Sequence, residues 1–155
     1  MKTIIICQSI HHGNTKKIAQ VFAEILNSDI ISPADVTNFN IDEYDLIGFG
    51  SGIYAGKHHS SLFKFIKELK TCNKTAFIFS TRAIHPLTFY HKILRNRLAD
   101  KGFTILDEFS CQGFSTYGPL KLIGGINKGK PNQDDLSNAK IFAQNLKQKF
   151  LSLNI

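Results

Sequence analysis

The sequence predicts a three-layer αβα sandwich in which helices cover both faces of a five-stranded parallel sheet. Two observations lead to this fold class. Short apolar runs alternate with segments of helical periodicity along nearly the whole chain. The apolar runs also lack the polar alternation of a half-exposed strand, so they are expected to be buried on both faces, as in a parallel sheet. Because crossovers between parallel strands are right-handed, a doubly wound α/β arrangement is expected.

The first half of the chain contains three predicted strands and two predicted helices. The strands are residues 2–8, 29–32 and 44–50, and the helices are residues 13–27 and 60–70. Each helix has one apolar stripe at helical spacing, which is the face expected to cover the sheet. The stripes are Ile18, Val21, Phe22 and Ile25 in the first helix, and Leu62, Phe65, Ile66 and Leu69 in the second.

The second half continues the alternation. Residues 75–80 and 104–111 are predicted strands, separated by a helix over residues 88–101 that ends at Gly102. A loop of residues 113–131 with five glycines and two prolines follows. Asn132 is a favourable N-cap for the last helix, with Asp134 and Asp135 in its first turn. The stripe expected to pack on the core is Leu136, Ala139, Ala143, Leu146 and Phe150.

Composition limits the class of protein. With 155 residues and 43% hydrophobic residues, the chain is expected to form one domain, residues 1–155, with a substantial core. No apolar stretch has the length of a membrane span or a secretory signal, so a soluble protein is expected. The three cysteines form no CxxC pair, which favours a reduced, cytoplasmic setting over a disulfide scaffold.

Positive charge is concentrated in the second half of the chain. The formal net charge is +7, of which residues 1–77 contribute +1 and residues 78–155 contribute +6. This surplus of positive charge favours an anionic partner. A basic surface that is simply exposed to solvent explains it equally well. Since no recognised nucleic-acid motif is present, nucleic acid is not the predicted partner.

Ligands of open parallel sheets bind beyond the carboxyl ends of the strands, where the strand order reverses. The candidate loops here are residues 9–15, 51–59 and 81–91. All six histidines of the chain fall within them: His11, His12, His58, His59, His85 and His91. Neighbouring histidines rarely chelate one metal ion well, so a metal site is not predicted. Cys7 and Cys111 are expected to be buried and inert.

The first candidate loop joins a strand to a helix, and its hydroxyl groups and Gly13 suit a phosphate held by free backbone N–H groups. A simple N-cap turn is the alternative. Neither a Gly-Lys-Ser/Thr sequence nor a GxGxxG spacing is present. A low-molecular-weight phosphatase would need an arginine six residues after Cys7, where Gly13 stands. A receiver domain would need carboxylates where Cys7-Gln8 and Gly50-Ser51 stand.

Four segments resemble the flavodoxin family. The loop His11-His12-Gly13-Asn14-Thr15, continued by Lys16-Lys17-Ile18-Ala19, is similar to the FMN phosphate loop of flavodoxins. Residues 50–59 resemble the second flavin loop, in the form seen in flavodoxin-type protoporphyrinogen oxidases. Ser80-Thr81-Arg82 is similar to the third loop, and residues 125–143 are similar to the tail of small members. The resemblance implies a flavodoxin-like fold with strand order 2-1-3-4-5.

The same resemblance implies FMN as the cofactor and assigns residues to it, with no catalytic side chain. The phosphate would be held by Ser9, His11, His12, Gly13, Asn14 and Thr15. The isoalloxazine ring would be wrapped by Ser51, Gly52, Ile53, Tyr54, Ala55 and Gly56, with Tyr54 offering an aromatic face. Its pyrimidine edge would be reached by backbone groups of Ser80, Thr81 and Arg82.

The implied function is FMN-dependent electron transfer with a redox partner protein, possibly an acidic one. Two alternatives stay open. One is an FMN-dependent oxidoreductase acting on a quinone-like or protoporphyrinogen-type substrate, with a substrate site shaped by the basic half and residues 113–131. The other is a flavin-free interaction domain. Two features differ from familiar carriers, which are acidic and often enclose the flavin between two aromatic side chains. This chain is basic and has no Trp, and its third loop offers only Phe89 and Tyr90.

Cations near the flavin would change its redox behaviour. Lys57, Arg82 or a protonated His58 would favour the anionic reduced flavin. The sequence therefore predicts a two-electron potential that is less negative than that of an acidic flavodoxin.

Overall fold

The computed structural model describes residues 1–36, 40–84 and 89–153, without the side chain of Phe89. His85 and the predicted helix start at Thr88 lie outside the described residues. The strands are β1 (Thr3–Gln8), β2 (Asp29–Ile31), β3 (Leu46–Tyr54), β4 (Lys57–His58), β5 (Lys74–Arg82) and β6 (Phe103–Gln112). The α-helices are α1 (Asn14–Leu26), α2 (Ser60–Glu68), α3 (Phe89–Asp100) and α4 (Gln133–Ser152), and short 3₁₀ helices span Ile41–Glu43 and Gly118–Ile123.

The main sheet is parallel and has the strand order β2-β1-β3-β5-β6. Counted over the five predicted strands, this is the order 2-1-3-4-5, so the predicted flavodoxin-like fold is confirmed. The sequence did not predict β4, a two-residue strand that pairs antiparallel with the end of β3. It forms a hairpin at the edge where the ligand loops were expected.

Two strands extend further than predicted. Ser51 and Gly52 pair in register with Ser80 and Thr81, so β3 continues to Tyr54 and β5 continues to Arg82. Polar residues and a glycine suggest a loop, but here backbone pairing with a neighbouring strand extends the ladder through them. The second candidate loop therefore begins inside a strand, and His91, placed in the third loop by the sequence, lies in α3.

The core forms one layer on each face of the sheet. On one face, β-strand residues such as Ile47 and Ile78 pack with Leu62 of α2 and Leu94 of α3. On the other face, the core contains residues from α1 and α4 together with β-strand residues. These are Ile5, Ile18, Phe22, Phe77, Phe79, Ala139, Ala143 and Leu146.

Close approach between β3 and β5 explains a pair of glycines in β3. Gly48 pairs with Phe77 and Gly50 pairs with Phe79, and a side chain at either glycine would overlap the phenylalanine ring opposite. The two rings in turn meet Phe22 of α1 edge-on, with centroids 5.7 and 5.2 Å away. Because Gly48 and Gly50 have no side chains, there is room for the aromatic centre of the α1–α4 layer.

Helix α4 begins as the sequence predicts. The Asn132 side chain accepts a hydrogen bond from the Asp135 backbone N–H at 3.1 Å, and the Asp135 carboxylate accepts one from the Asn132 N–H at 2.9 Å. This capping box satisfies two N–H groups that a helix start leaves without partners. Among the described residues, no helix is both long and apolar enough to cross a membrane.

Candidate functional site

Two adjoining cavities lie at the carboxyl ends of β1, β3, β5 and β6. The first is a narrow cleft of about 40 Å³ that starts beside the α1 N-terminus, and the second, of about 220 Å³, lies against the β3–β4 hairpin. The residues common to both walls are Ile53, Arg82, Ala83, Ser115 and Tyr117. The shared wall makes them one site, with a polar end at α1 and a more apolar end at the hairpin.

The N-terminus of α1 has no side-chain cap. Gly13 stands at the N-cap in the left-handed conformation, with φ 66°, and no acidic residue lies in the first turn. The backbone N–H of Lys16 donates to Ser9 Oγ at 3.2 Å, whereas the space in front of Gly13 is open. The remaining N–H groups and the positive end of the helix dipole favour an anion here.

Asn14 and Thr15 are buried in the wall of the cleft. Asn14 Nδ2 donates to the Phe114 carbonyl at 2.7 Å, and Thr15 Oγ1 lies 2.7 Å from Thr81 Oγ1. These bonds connect the start of α1 to β5 and to the loop after β6. Asn14 Oδ1 is buried without a partner among the described residues, so it can accept a hydrogen bond from a ligand.

The second loop is a tight hairpin between β3 and β4. Its two turn residues, Ala55 and Gly56, both have positive φ, at 48° and 80°. Ser51 forms hydrogen bonds at the base of this hairpin. Its Oγ atom accepts a hydrogen bond from the His59 backbone N–H at 3.0 Å. The same atom lies 3.0 Å from His58 Nδ1 and 2.8 Å from the Gly52 carbonyl oxygen. Ser51 is buried behind the cavities and holds the hairpin in position.

Tyr54 stands at the end of β3 with its ring in the cleft. Its ring centroid lies 6.0 Å from that of His11, 5.6 Å from that of His59 and 6.0 Å from that of Tyr117, in edge-on contacts. Burial raises the pKa of the Tyr54 phenol, which is therefore neutral at pH 7. The rings of His11, Tyr54 and Tyr117 line the first cavity and make it narrow.

The third segment, at the end of β5, points to both sides of the sheet. Thr81 and Arg82 line the first cavity. Ser80 is buried on the other face, where its Oγ lies 2.8 Å from His91 Nε2, and His91 Nδ1 lies 2.9 Å from Glu108 Oε2. This is the order of groups in a serine–histidine–acid triad. Ser80 is only 1% exposed, however, so a substrate has no access to its hydroxyl.

His58 is not the cation that the sequence analysis considered. It is 1% exposed, and burial, with a smaller contribution from the charge of His91, holds its pKa well below the ordinary value. The idea of a protonated His58 beside the flavin was therefore wrong, because the ring is neutral near pH 7. Its Nε2 atom is buried without a hydrogen-bond partner in the described part of the chain.

The loop after β6 contributes residues that the sequence analysis did not assign to the cofactor and considered only for a substrate. Gly113, Phe114, Ser115, Tyr117 and Leu120 line the cavities. The loop is held by an antiparallel bridge between Ser115 and Ile126 and by a 3.0 Å contact between His12 Nε2 and Thr116 Oγ1. The length of this loop and its aromatic residues were the signals in the sequence that could have indicated its role. The loop is far along the chain from the first three loops, so the sequence did not show that it lies against them.

Ten of the fifteen predicted site residues line the two cavities: His11, Asn14, Thr15, Gly52, Ile53, Tyr54, Ala55, Gly56, Thr81 and Arg82. The other five are Ser9, His12, Gly13, Ser51 and Ser80. Ser9 lines a separate cavity with Asp35 and Lys16. Gly13 and His12 stand next to the first cavity in the chain. Their roles toward a ligand stay predictions.

The chain is similar to known proteins in sequence. Residues 5–92 match the model of the flavodoxin domain. The uncharacterized protein MJ0298 of Methanocaldococcus jannaschii is 53% identical over 147 residues, which are 94% of this chain and 98% of that protein.

Solved structures share the fold at low identity. A flavodoxin from the domain Archaea superposes with a TM-score of 0.72 at 18% identity, covering 97% of this chain and 99% of that one. Flavodoxin 1 from Bacillus cereus gives 0.69 at 16% identity, covering 98% of both chains. The rubredoxin:oxygen oxidoreductase of Desulfovibrio gigas gives 0.68 at 17% identity, covering 96% of this chain and 36% of that one.

Proposed function

Because the chain belongs to the flavodoxin family, we propose that it binds FMN and transfers electrons to or from a redox partner protein. The observation that carries this proposal is the joined site at the sheet edge. Its polar end begins at the uncapped N-terminus of α1, which suits a phosphate. Its other end is the larger, mostly apolar cavity beside the hairpin, which suits a flat ring system. Bound FMN supplies the electron-transfer chemistry.

The chain's own residues bind and orient the cofactor in this proposal. The first-turn N–H groups of α1 hold the phosphate, and the buried Asn14 Oδ1 accepts a hydrogen bond from the cofactor. The hairpin residues Ile53 to Gly56 contact the ring, with Tyr54 as its aromatic neighbour. Thr81 and Arg82, which line the cleft, bind its pyrimidine edge, whereas Ser80 pairs with β3 and β6 on either side and supports them from behind. We also propose the reduced, cytoplasmic setting that the sequence analysis favours.

Three aromatic rings narrow the cleft beside the phosphate site. His11, Tyr54 and Tyr117 converge on the first cavity, which measures about 40 Å³. We expect these rings to turn outward and cover the cofactor. Because the chain has no Trp, its intrinsic fluorescence is tyrosine fluorescence, so FMN uptake should quench it directly.

The test is the absorption spectrum of the purified protein and a titration of the flavin-free protein with FMN. The Asn14→Ala, Thr15→Ala double variant should bind FMN at least roughly tenfold more weakly, because hydrogen bonds to a charged or polar ligand are lost. The matched control is Ser137→Ala with Asn138→Ala on α4, which should bind normally. Unchanged affinity in the first variant would place the phosphate elsewhere. A colourless protein that takes up no FMN would leave the flavin-free interaction domain as the alternative.

One observation favours a second candidate, an FMN-dependent oxidoreductase with a quinone-like or protoporphyrinogen-type substrate. The larger cavity is walled by Ile84, Tyr90 and Leu120 in addition to hairpin residues, so its apolar surface reaches beyond the three family loops. A small apolar substrate would enter there. Turnover of a quinone with NAD(P)H in the absence of a partner protein would favour the enzyme, and turnover that requires a partner protein would favour the carrier.

A further inference from the structure

Four loops around the proposed cofactor site carry only basic charge, and the nearest carboxylate at this edge of the sheet is outside them, at Asp35 beside Lys16 after β2. These loops are residues 9–17, 51–59, 81–84 and 113–131, and together they contain seven lysines and arginines but no aspartate or glutamate. The cations are Lys16, Lys17, Lys57, Arg82, Lys121, Lys128 and Lys130. Within the described part of the chain, only Lys130 of this set pairs with a carboxylate, that of Asp135 at 3.0 Å. We call these four loops the basic edge.

Exposed aliphatic side chains interrupt the basic edge. None of the residues in the 3₁₀ helix Gly118–Ile123 is buried, and Leu122 and Ile123 are 90% and 69% exposed. Tyr117, directly before this helix, is 52% exposed, and Ile84, on the loop after β5, is 59% exposed. Removing large aliphatic side chains from water is favourable, so covering this surface lowers the free energy of the system.

The backbone under these side chains is well held. The Gly125 N–H donates to the Leu120 carbonyl at 2.8 Å, and Ser115 and Ile126 exchange hydrogen bonds of 3.0 and 2.9 Å at the base of the loop. Tyr117 and Leu120 line the larger cavity, and the chain runs directly from them to Lys121, Leu122 and Ile123. A partner that covers Leu122 and Ile123 would therefore stand next to the cavity.

We propose that the basic edge is the docking surface for an acidic protein, with Leu122 and Ile123 as its apolar centre and the cations as its rim. An apolar centre within a charged rim is the usual anatomy of a specific protein interface, and the charge favours partners rich in Asp and Glu. A second copy of the chain would bring two basic edges together. Nucleic acid would leave the aliphatic side chains uncovered. A membrane is also disfavoured, because inserting only two or three aliphatic side chains gives weak membrane binding.

The choice of partner rests on the proposed electron-transfer function, so the probe is an acidic plant-type ferredoxin. Its affinity is measured by calorimetry with the flavin-free chain and again with the FMN-loaded chain. Leu122→Ser with Ile123→Ser should weaken binding roughly tenfold, since central apolar contacts carry much of an interface's affinity. The matched control is Ile141→Ser with Leu151→Ser on α4, at 54% and 48% exposure, which should change affinity less than twofold.

Charge is tested separately through the rate of association. Lys121→Glu with Lys128→Glu should slow association and reduce its dependence on salt, because electrostatic steering acts on the encounter. Basic cytochrome c, as the opposite-charge probe, should bind at least tenfold more weakly than the ferredoxin. Equal binding of the two probes, or full ferredoxin affinity in the Leu122/Ile123 variant, would overturn the proposal.

Other occupants of the same surface are separate outcomes. Dimerisation, duplex DNA binding or binding to phosphatidylserine vesicles that is lost in the Leu122/Ile123 variant, without ferredoxin binding, would overturn the acidic-protein proposal. Failure of FMN uptake would refute the proposed function alone, because docking is measured with the flavin-free chain.

Discussion

The Nε2 atom of His91 lies 2.8 Å from the Oγ atom of Ser80, at the inner end of a buried polar chain. The other ring nitrogen of His91 meets Glu108, whose carboxylate also accepts two N–H groups of Arg95 at 2.6 and 2.8 Å. These contacts join α3 to β5 and β6 directly behind the residues proposed to meet the cofactor. This network of hydrogen bonds therefore fixes the position of the end of β5.

This network should make the protein sensitive to acid. Partial burial alone would raise the pKa of Glu108, but hydrogen bonds from His91 and Arg95 outweigh it and hold the pKa at about 2. The stabilisation is present above the unfolded-state pKa, near 4.5, and is lost as pH falls toward about 2. Glu108→Gln should therefore lower the free energy of unfolding at pH 7 by roughly 2 kcal/mol, after allowance for solvent screening.

Urea unfolding at pH 7 and pH 3 checks this expectation. The difference between wild type and Glu108→Gln should shrink at pH 3. Glu68→Gln, which alters an exposed carboxylate on α2, is the control and should change stability by less than about 0.5 kcal/mol. An equal loss at both pH values would mean that Glu108 acts through packing and not through its charge.

His58 should add a second pH dependence at higher pH. Its folded pKa is depressed below 6.5, so between those two values the unfolded chain binds a proton that the folded chain does not. Stability should then fall as pH falls through this window, by about 1.4 kcal/mol per pH unit for one proton. His59, whose pKa burial also lowers, contributes with the same sign. Comparison of variants is therefore needed to isolate His58.

His58→Asn is the variant that isolates this effect, because an asparagine can replace Nδ1 in the contact with Ser51 but does not titrate. Denaturant unfolding between pH 8 and pH 5 should give a flatter stability profile than that of the wild type. An unchanged m-value would show that the fold is retained. If the two profiles stay parallel, His58 is protonated in the folded chain and its assignment as a neutral ring is incorrect.

The sequence predicted most of the parallel sheet and failed at the hairpin, for physical reasons. The strands and α4 were predictable because apolar runs, helical stripes and the Asn132 cap are local signals. The hairpin was missed because β4 has two residues and its turn, Ala55-Gly56, lacks the Asn-Gly or Asp-Gly sequence that announces a type I′ turn. The extension of β3 through Ser51 and Gly52 depends on pairing with β5, which local pattern does not show.

The candidate site divides in the same way. The phosphate-loop residues are contiguous and similar to a family motif, so they could be named. The polar chain of Ser80, His91 and Glu108 joins residues up to 28 positions apart, and no spacing rule connects them. The cavity wall from Gly113 to Leu120 likewise depends on how the loop folds back, with Asn14 bonding to the Phe114 carbonyl.

Strain in the hairpin turn gives a stability prediction. Ala55 has φ 48°, a left-handed conformation that is unfavourable for a residue with a Cβ atom. Ala55→Gly should therefore raise the free energy of unfolding by about 0.5–1 kcal/mol, equivalent to a rise in Tm of a few degrees. Ala99→Gly on the exposed side of α3 is the matched control and should lower stability by about 1 kcal/mol. A loss of stability in Ala55→Gly would show that the turn gains more from alanine than it loses in strain.

The charge of the basic edge should raise the reduction potential of bound FMN. Reduction adds negative charge to the flavin, and nearby cations stabilise that charge, so Arg82, which lines both cavities, should favour the reduced form. Arg82→Gln should make the two-electron potential more negative, and Lys57→Gln, at an exposed site on the hairpin, should have a smaller effect in the same direction. Lys140→Gln on α4 is the control. Potentiometric titration of the FMN-loaded variants measures each shift. A wild-type potential as negative as that of an acidic flavodoxin, with no shift in Arg82→Gln, would show that these cations are screened by solvent and do not tune the cofactor.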